Sequence, residues 1–247
     1  MGKEVMTIEI LRVEKVTKNF GHLAALGAVD VTLHKGDILG MIGPNGSGKT
    51  TLFNVISGIY SPESGKIQYK GQSITGKDPH VICRMGIART FQVVQPFAQM
   101  TLLENVLIGA MYGQGLGLSQ GRTKAREVLQ FVGLGEKIYL TPDEVTTEDR
   151  RRLELARALA TDPEIILLDE IMAGLTPTEI EGALHLMRQV NNQGITIFMV
   201  EHIMKAVMTI SNRIIVLNYG KKIAEGSPKE MVENPEVIKA YLGDRYV

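Results

Sequence analysis

Three short apolar runs mark the chain, at residues 38–42, 165–168 and 195–200. Each is too short for a helix and leaves no polar face, so each predicts a strand buried on both sides of a parallel sheet. The opening segment patterns differently. Ile8, Ile10, Val13, Val16 and Phe20 are spaced among polar residues, and further β-like pieces follow at 29–33 and 66–69. Turn signals at Lys35-Gly36-Asp37 and Ser64-Gly65 separate them, predicting an antiparallel sheet near the N-terminus. Helical stretches at 150–159 and 178–190 lie between the buried runs, and strands alternating with helices indicate an α/β core. Residues 97–140 carry more helical pattern and predict a helical lobe, with Gly113-Gln114-Gly115-Leu116-Gly117 as a flexible loop.

Composition narrows the function classes. At 247 residues, 44% hydrophobic and 22% charged, the chain is long enough for one large domain with a smaller lobe. Lys+Arg and Asp+Glu both number 27, which argues against a nucleic-acid partner. The single cysteine, Cys83, excludes an internal disulfide, fits a reducing compartment and reads as a plain packing or surface residue. No run approaches the roughly 18 apolar residues of a membrane span. Met1-Gly2-Lys3-Glu4-Val5 lacks the apolar stretch of a signal peptide. Work at a membrane would therefore require a partner to hold the chain there.

Three motifs carry candidate chemistry. Gly43-Pro44-Asn45-Gly46-Ser47-Gly48-Lys49-Thr50 fits the phosphate-binding pattern G-x-x-x-x-G-K-[ST]; it follows a buried run and precedes a helix expected to begin at Thr51. Glycines let backbone N–H groups turn toward phosphates, the helix N-terminus adds positive potential, Lys49 supplies charge, and the Thr50 hydroxyl suits Mg²⁺. The plain alternative is a Gly-rich turn. Asp169-Glu170 close the second run: Asp169 can reach a Mg²⁺ shell and Glu170 can polarise a water, against the alternative of a helix cap. His202 follows the third run at the sheet edge where ligands sit; a γ-phosphate contact competes with a structural role. Met199, Met204 and Met208 read as core filler, and Arg150-Arg151-Arg152 as a solvated helix face with one or two packing stems.

This set resembles the ATP-binding cassette family across nearly the whole chain. In that resemblance Arg89-Thr90-Phe91-Gln92 carries the Q-loop glutamine, Asp169-Glu170 are the Walker B pair, Ala173-Gly174-Leu175-Thr176 lie in the D-loop, and His202 is the switch histidine. Gln92 is then both a catalytic and a metal-contact candidate. Phe20 stands where the family stacks an aromatic on adenine, with a core aromatic as the alternative. A finer resemblance, to ATPase subunits of branched-chain amino-acid importers, rests on residues 86–92, Glu201-His202-Ile203-Met204, and the tail from Ile223-Ala224-Glu225-Gly226 to Tyr241-Leu242-Gly243.

The resemblance implies a P-loop NTPase fold with cofactors ATP and Mg²⁺. It divides one domain into a core with β-subdomain (about 1–92 and 160–225), a helical lobe (93–159) and a family tail (226–247). It also implies a second ATPase subunit, two permease subunits, an extracytoplasmic substrate-binding protein acting indirectly, no nucleic acid, and a peripheral place on the cytoplasmic face of the membrane. Residues 92–100, including Pro96 and Phe97, are the expected permease contact. Related systems also import urea, amides or aromatic acids, and some family members are soluble nucleic-acid or translation factors.

One departure stands out. The family signature Leu-Ser-Gly-Gly-Gln falls on Val145, Thr146, Thr147, Glu148 and Asp149. Both glycines are gone and two carboxylates stand where a phosphate would be met. Thr146 to Asp149 fit an [ST]-x-x-[DE] cap as well as a degenerate phosphate contact. An asymmetric heterodimer follows as the expectation.

Overall fold

The computed structural model describes residues 8–92 and 95–242. Met1 to Val5, Val93, Val94 and Gly243, which enter the sequence expectations above, lie outside the described residues.

Two long strands open the fold, β1 (Glu9–Phe20) and β2 (Leu23–His34), joined at Gly21 and His22. They pair antiparallel, and β1 also pairs with β4 (Ser64–Tyr69), which pairs with β5 (Gln72–Ser73). Between them in sequence come β3 (Ile38–Ile42) and α1 (Lys49–Ile56). Next follow α2 (Pro79–Met85), β6 (Ile87–Arg89), α3 (Leu102–Gln114), α4 (Leu118–Phe131) and α5 (Thr147–Leu159). The chain continues through β7 (Ile165–Asp169), α6 (Pro177–Asn192), β8 (Thr196–Val200), α7 (Met204–Ile210), β9 (Arg213–Asn218) and β10 (Lys221–Gly226). Two tail helices, α8 (Pro228–Glu233) and α9 (Pro235–Leu242), end the described chain.

The second sheet has the order β10-β9-β3-β8-β7-β6, parallel except for the edge strand β10. Its strands alternate between two cores, as a period of two requires. Ile166, Leu168, Ile197, Met199, Ile214 and Val216 face the helical side, with α3 to α6. Leu39, Met41, Leu167, Phe198, Val200 and Ile215 face α1 and the antiparallel sheet. Burial on both faces explains why these strands read as solid apolar runs. Phe53 of α1 meets Phe198 edge-on at 4.9 Å and fixes the helix that carries the phosphate motif.

Three details differ from the sequence expectation. The apolar-run reading does not identify β6 or β9; β6 has three residues, and β9 carries its own buried run at 214–217. Helix α1 begins at Lys49 rather than Thr51, so Lys49 and Thr50 occupy its first turn. Gly113 is no loop residue. It lies inside α3, where a Cβ would come within 2.6 Å of the Thr161 side chain, so its smallness permits close packing; only 115–117 connect α3 to α4.

Candidate functional site

Parallel pairing places the C-terminal ends of β3, β8, β7 and β6 side by side, and each end continues into one motif. From β3 comes Gly43, from β8 Glu201 and His202, from β7 Glu170, and from β6 Thr90 to Gln92. A cavity of about 580 Å³ opens over them, lined among others by Phe20, Asn45 to Thr51, Gln92, Glu170 and His202. Thr50 and Gln92 also face a neighbouring cavity with Asp169 and Arg89.

The phosphate motif wraps a left-handed path that only glycine accepts. Gly43 has φ 152°, and a Cβ there would sit 2.1 Å from the Leu217 carbonyl; Gly48 has φ 104°, with the Ala25 carbonyl 2.6 Å from the same imagined atom. Gly48 caps α1 without any side-chain hydrogen bond, and no acid occupies the first turn. The first-turn N–H groups thus face the cavity with the helix dipole behind them. Lys49 Nζ donates to the Gly43 carbonyl at 2.7 Å and the Pro44 carbonyl at 3.0 Å. Burial lowers the pKa of its ammonium, with Glu170 and Asp169 pulling the other way.

Glu170 is 8% exposed and adopts φ +51°, a conformation that costs a non-glycine residue about 1 kcal/mol or more. Its N–H still donates to the Val200 carbonyl at 2.9 Å, so the sheet ladder enforces the bend. The carboxylate is gripped on both sides: Gln92 Nε2 donates to Oε2 at 2.7 Å, and His202 Nε2 lies 2.6 Å from Oε1. Asp169 pairs with Arg89 at 2.9 Å, and Arg89 also donates to Asn54 Oδ1 at 2.7 Å and Ser57 Oγ at 3.0 Å. Burial raises the Asp169 pKa, opposed by Arg89. Its Oδ1 is buried with no hydrogen-bond partner, an orphaned acceptor beside Thr50 and Gln92 that fits a hard cation such as Mg²⁺.

Phe20 is 43% exposed at the end of β1, edge-on to Tyr60 at 5.3 Å and under Lys18. It therefore lies at the cavity rather than in the core. Of the expected site residues, the structure gathers Phe20, the phosphate motif, Gln92, Asp169, Glu170 and His202. Thr146 to Asp149 lie apart, at the start of α5. There Thr146 Oγ1 accepts from the Asp149 N–H at 3.2 Å and Asp149 Oδ2 accepts from the Thr146 N–H at 3.2 Å, a complete capping box. Lys137 pairs with Asp149 at 2.7 Å and Arg152 with Glu148 at 2.5 Å. Burial alone would raise the Asp149 pKa, but Lys137 and Thr146 outweigh it and hold it low.

The arginine run is not a solvated face. Arg150 donates to the Pro142 carbonyl at 2.7 Å, Arg152 to the Val132 carbonyl at 2.9 Å, and Arg151 to the Gln92 carbonyl at 2.8 Å. Loop carbonyls without ladder partners recruit these guanidinium groups. Other residues that the sequence reading missed also hold loops. Buried Glu154 accepts from the Phe91 N–H at 3.3 Å, and Arg157 donates to the Gln95 carbonyl at 3.0 Å and stacks on Phe97. Asn105, fully buried, bonds both the N–H and the carbonyl of Phe97. Thr90 Oγ1 accepts from the Asp169 N–H at 3.2 Å. Burial raises the phenol pKa of Tyr241 in the tail, with the Gly43 backbone acting in the opposite direction. Arg89 and Glu201 stand in the sequence motifs without a role of their own, and a polar residue closing an apolar strand is the signal that marks both.

Comparison with known proteins identifies the family and the fold. The ABC transporter family matches residues 26–173, and the branched-chain amino acid ATP-binding cassette transporter family matches residues 221–247. The high-affinity branched-chain amino acid transport ATP-binding protein LivG of Escherichia coli (strain K12) is 39% identical over 254 residues, covering 97% of this chain and 100% of the relative. The ADP conformation of MJ1267, an ATP-binding cassette of an ABC transporter, has TM-score 0.87 at 34% identity, covering 96% of this chain and 100% of that one. A dimeric post-hydrolysis state of the cassette MJ0796, bound to ADP and Pi, has TM-score 0.79 at 26% identity, covering 89% and 99%. With an open helix N-terminus and a bent carboxylate converging on one edge of a P-loop sheet, this chain belongs to the ABC transporter family, as an ATP-hydrolysing cassette.

Proposed function

We propose that this cassette is the ATPase subunit of an importer for branched-chain or related amino acids, held peripherally on the cytoplasmic face of a membrane by permease subunits. No helix among the described residues is long and apolar enough to cross a membrane. The LivG relative and the match of the tail to the branched-chain amino acid family support the substrate class. The observation that carries the reading is Glu170, presented to the phosphate cavity between Gln92 and His202.

ATP is the substrate. The backbone N–H groups of the glycine cradle and Lys49 bind its phosphates, and Phe20 offers a π-face to the base. Thr50, Asp169 and Gln92 would hold Mg²⁺, which supplies positive charge against the phosphate oxygens. Each oxygen of Glu170 carries one contact in the structure and keeps a second lone pair for the attacking water. Glu170 then accepts a proton from the attacking water as the water oxygen bonds the γ-phosphorus and the bond to the β-phosphate oxygen breaks. His202, once released, is a donor to the γ-phosphate.

The reading extends to partners. Helix α5, in the lobe at 93–159, would face the ATP of a second cassette, and its self-satisfied start makes this half of the pair the weaker one. A partner with an intact signature would serve this chain's own site. Phe97, 45% exposed between core and lobe, is the proposed permease contact. The test is ATPase activity of the chain alone against the chain mixed with a second cassette and permeases in vesicles. Turnover should rise on mixing and respond to a binding protein loaded with a branched-chain amino acid. Full turnover by the isolated chain would contradict the asymmetric pair.

A further inference from the structure

The segments around Glu170 are joined in a closed ring. Gln92 Nε2 and His202 Nε2 meet its carboxylate at 2.7 and 2.6 Å. The Gln92 carbonyl accepts from Arg151 Nη1 at 2.8 Å, while Arg151 Nη2 reaches the Ala173 carbonyl at 3.4 Å. Beside Ala173, the Met172 N–H donates to Glu201 Oε1 at 2.9 Å, and Glu201 is covalently joined to His202. Met172 lies two residues beyond Glu170, which closes the circuit.

Neither member of the ring that lies off the cavity is explained by packing alone. Arg151 aims both terminal nitrogens at carbonyls of two different loops, a two-point grip that only a planar fork provides. Glu201 is 3% exposed, and a carboxyl group is costly there unless its bond does something that an apolar side chain could not. Its surroundings supply the N–H groups of Met172 and His202, the like charge of Glu170 and the guanidinium of Arg151.

We propose that Arg151 and Glu201 are positioning residues for hydrolysis. Arg151 ties the Gln92 backbone and residues 172–173 to α5, and Glu201 ties the same segment to the strand end that carries His202. A displacement of α5 is thereby delivered to both groups that hold Glu170. The inference rests on the reading of Glu170 as the base.

The experiment uses the assembled complex and compares R151A, R151K, E201L, E201Q and the double variant R151A/E201L for kcat and KM, with ATP affinity from a fluorescent analogue. R151A and E201L should each lower kcat by about tenfold or more, the scale of a small misplacement at the reacting centre, with ATP affinity within about twofold. R151K should not recover the rate, because one ammonium cannot span both carbonyls. E201Q should recover most of it, because its amide oxygen still accepts from Met172. The double variant should be no slower than the slower single variant, since the ring is already open. Alanine at 151 is compatible with a helix, so R151A should fold. Losses that multiply in the double variant, or that appear only in KM, would overturn the proposal. E170Q measured alongside separates the two levels. Retained turnover in E170Q refutes the base, whereas a dead E170Q beside fully active R151A and E201L refutes only the ring.

Discussion

Helix α1 begins at Gly48 with no side-chain cap and no acid in its first turn, whereas α5 begins at Thr146 with a complete capping box and both Glu148 and Asp149. Each helix start carries the same backbone endowment: unpaired N–H groups and about half a positive charge. At α1 that endowment faces a cavity. At α5 it is spent inside the chain, on Thr146, on Asp149 and through Lys137 and Arg152 on the two carboxylates. The contrast teaches that a helix N-terminus attracts phosphate only where the sequence refrains from capping it.

The largest effect should come from the α1 side. Replacing Glu170 with Gln keeps its size and its contacts with Gln92 but removes the base. The turnover of the assembled complex should fall by at least about a hundredfold while nucleotide is still retained. Single-turnover phosphate release together with an ATP-binding titration checks both halves. Wild-type turnover in E170Q would erase the distinction between the two helix starts, because the open one would then lead to no chemistry.

A second prediction uses the opposite proton affinities of the two regions. Burial pushes the Glu201 pKa, near the cavity, up to about 7 from its ordinary 4.5, whereas Asp149 at α5 is held low. Between pH 4.5 and 7 the folded chain binds the Glu201 proton more tightly than the unfolded chain does. Stability attributable to Glu201 therefore falls as pH rises through that window, by about 3 kcal/mol. Asp149 has the reverse sign: its contribution is present above its unfolded pKa and is lost as pH falls through the lower folded value. Denaturant unfolding of the wild type against E201Q should show the wild type losing ground from pH 5 to pH 8. Against D149N, it should lose its advantage only in acid. Slopes of the same sign would break the comparison.

The α1 side was also the more legible in sequence. Glycine spacing, a following helix and a preceding apolar run are local properties, so Gly43 to Thr50 can be read directly. The buried runs at 38–42 and 165–168 are legible for the same reason, because sheet burial leaves a mark at every residue. Loop-holding residues are illegible because their partners are distant. Arg151 bonds a residue 59 positions away, Arg89 one 80 away and Glu201 one 29 away. A run of three arginines at the start of a helix looks solvated until the fold brings orphan carbonyls over it. Gly113 misleads in the same way, since its neighbour Thr161 is supplied by another part of the chain.

The smallest effect, and the sharpest in sign, should come from opening α5. Exchanging Glu148 for Gly and Asp149 for Gln removes both first-turn carboxylates and the return arm of the capping box. The glycine costs about 1 kcal/mol in a helix and the damaged cap up to about another, so the unfolding midpoint should fall. Each removed carboxylate had opposed an approaching phosphate by roughly 0.3–1 kcal/mol, so the composite site built by two copies of this chain should gain. Its ATPase activity, measured on the isolated chain, should rise by about threefold to tenfold at subsaturating ATP. Damage to the fold lowers both quantities together, and a change on an idle surface moves neither. Only a helix start silenced by its own caps gives lower stability with higher activity, and unchanged or reduced turnover in the double variant would show that α5 is not what separates the two halves.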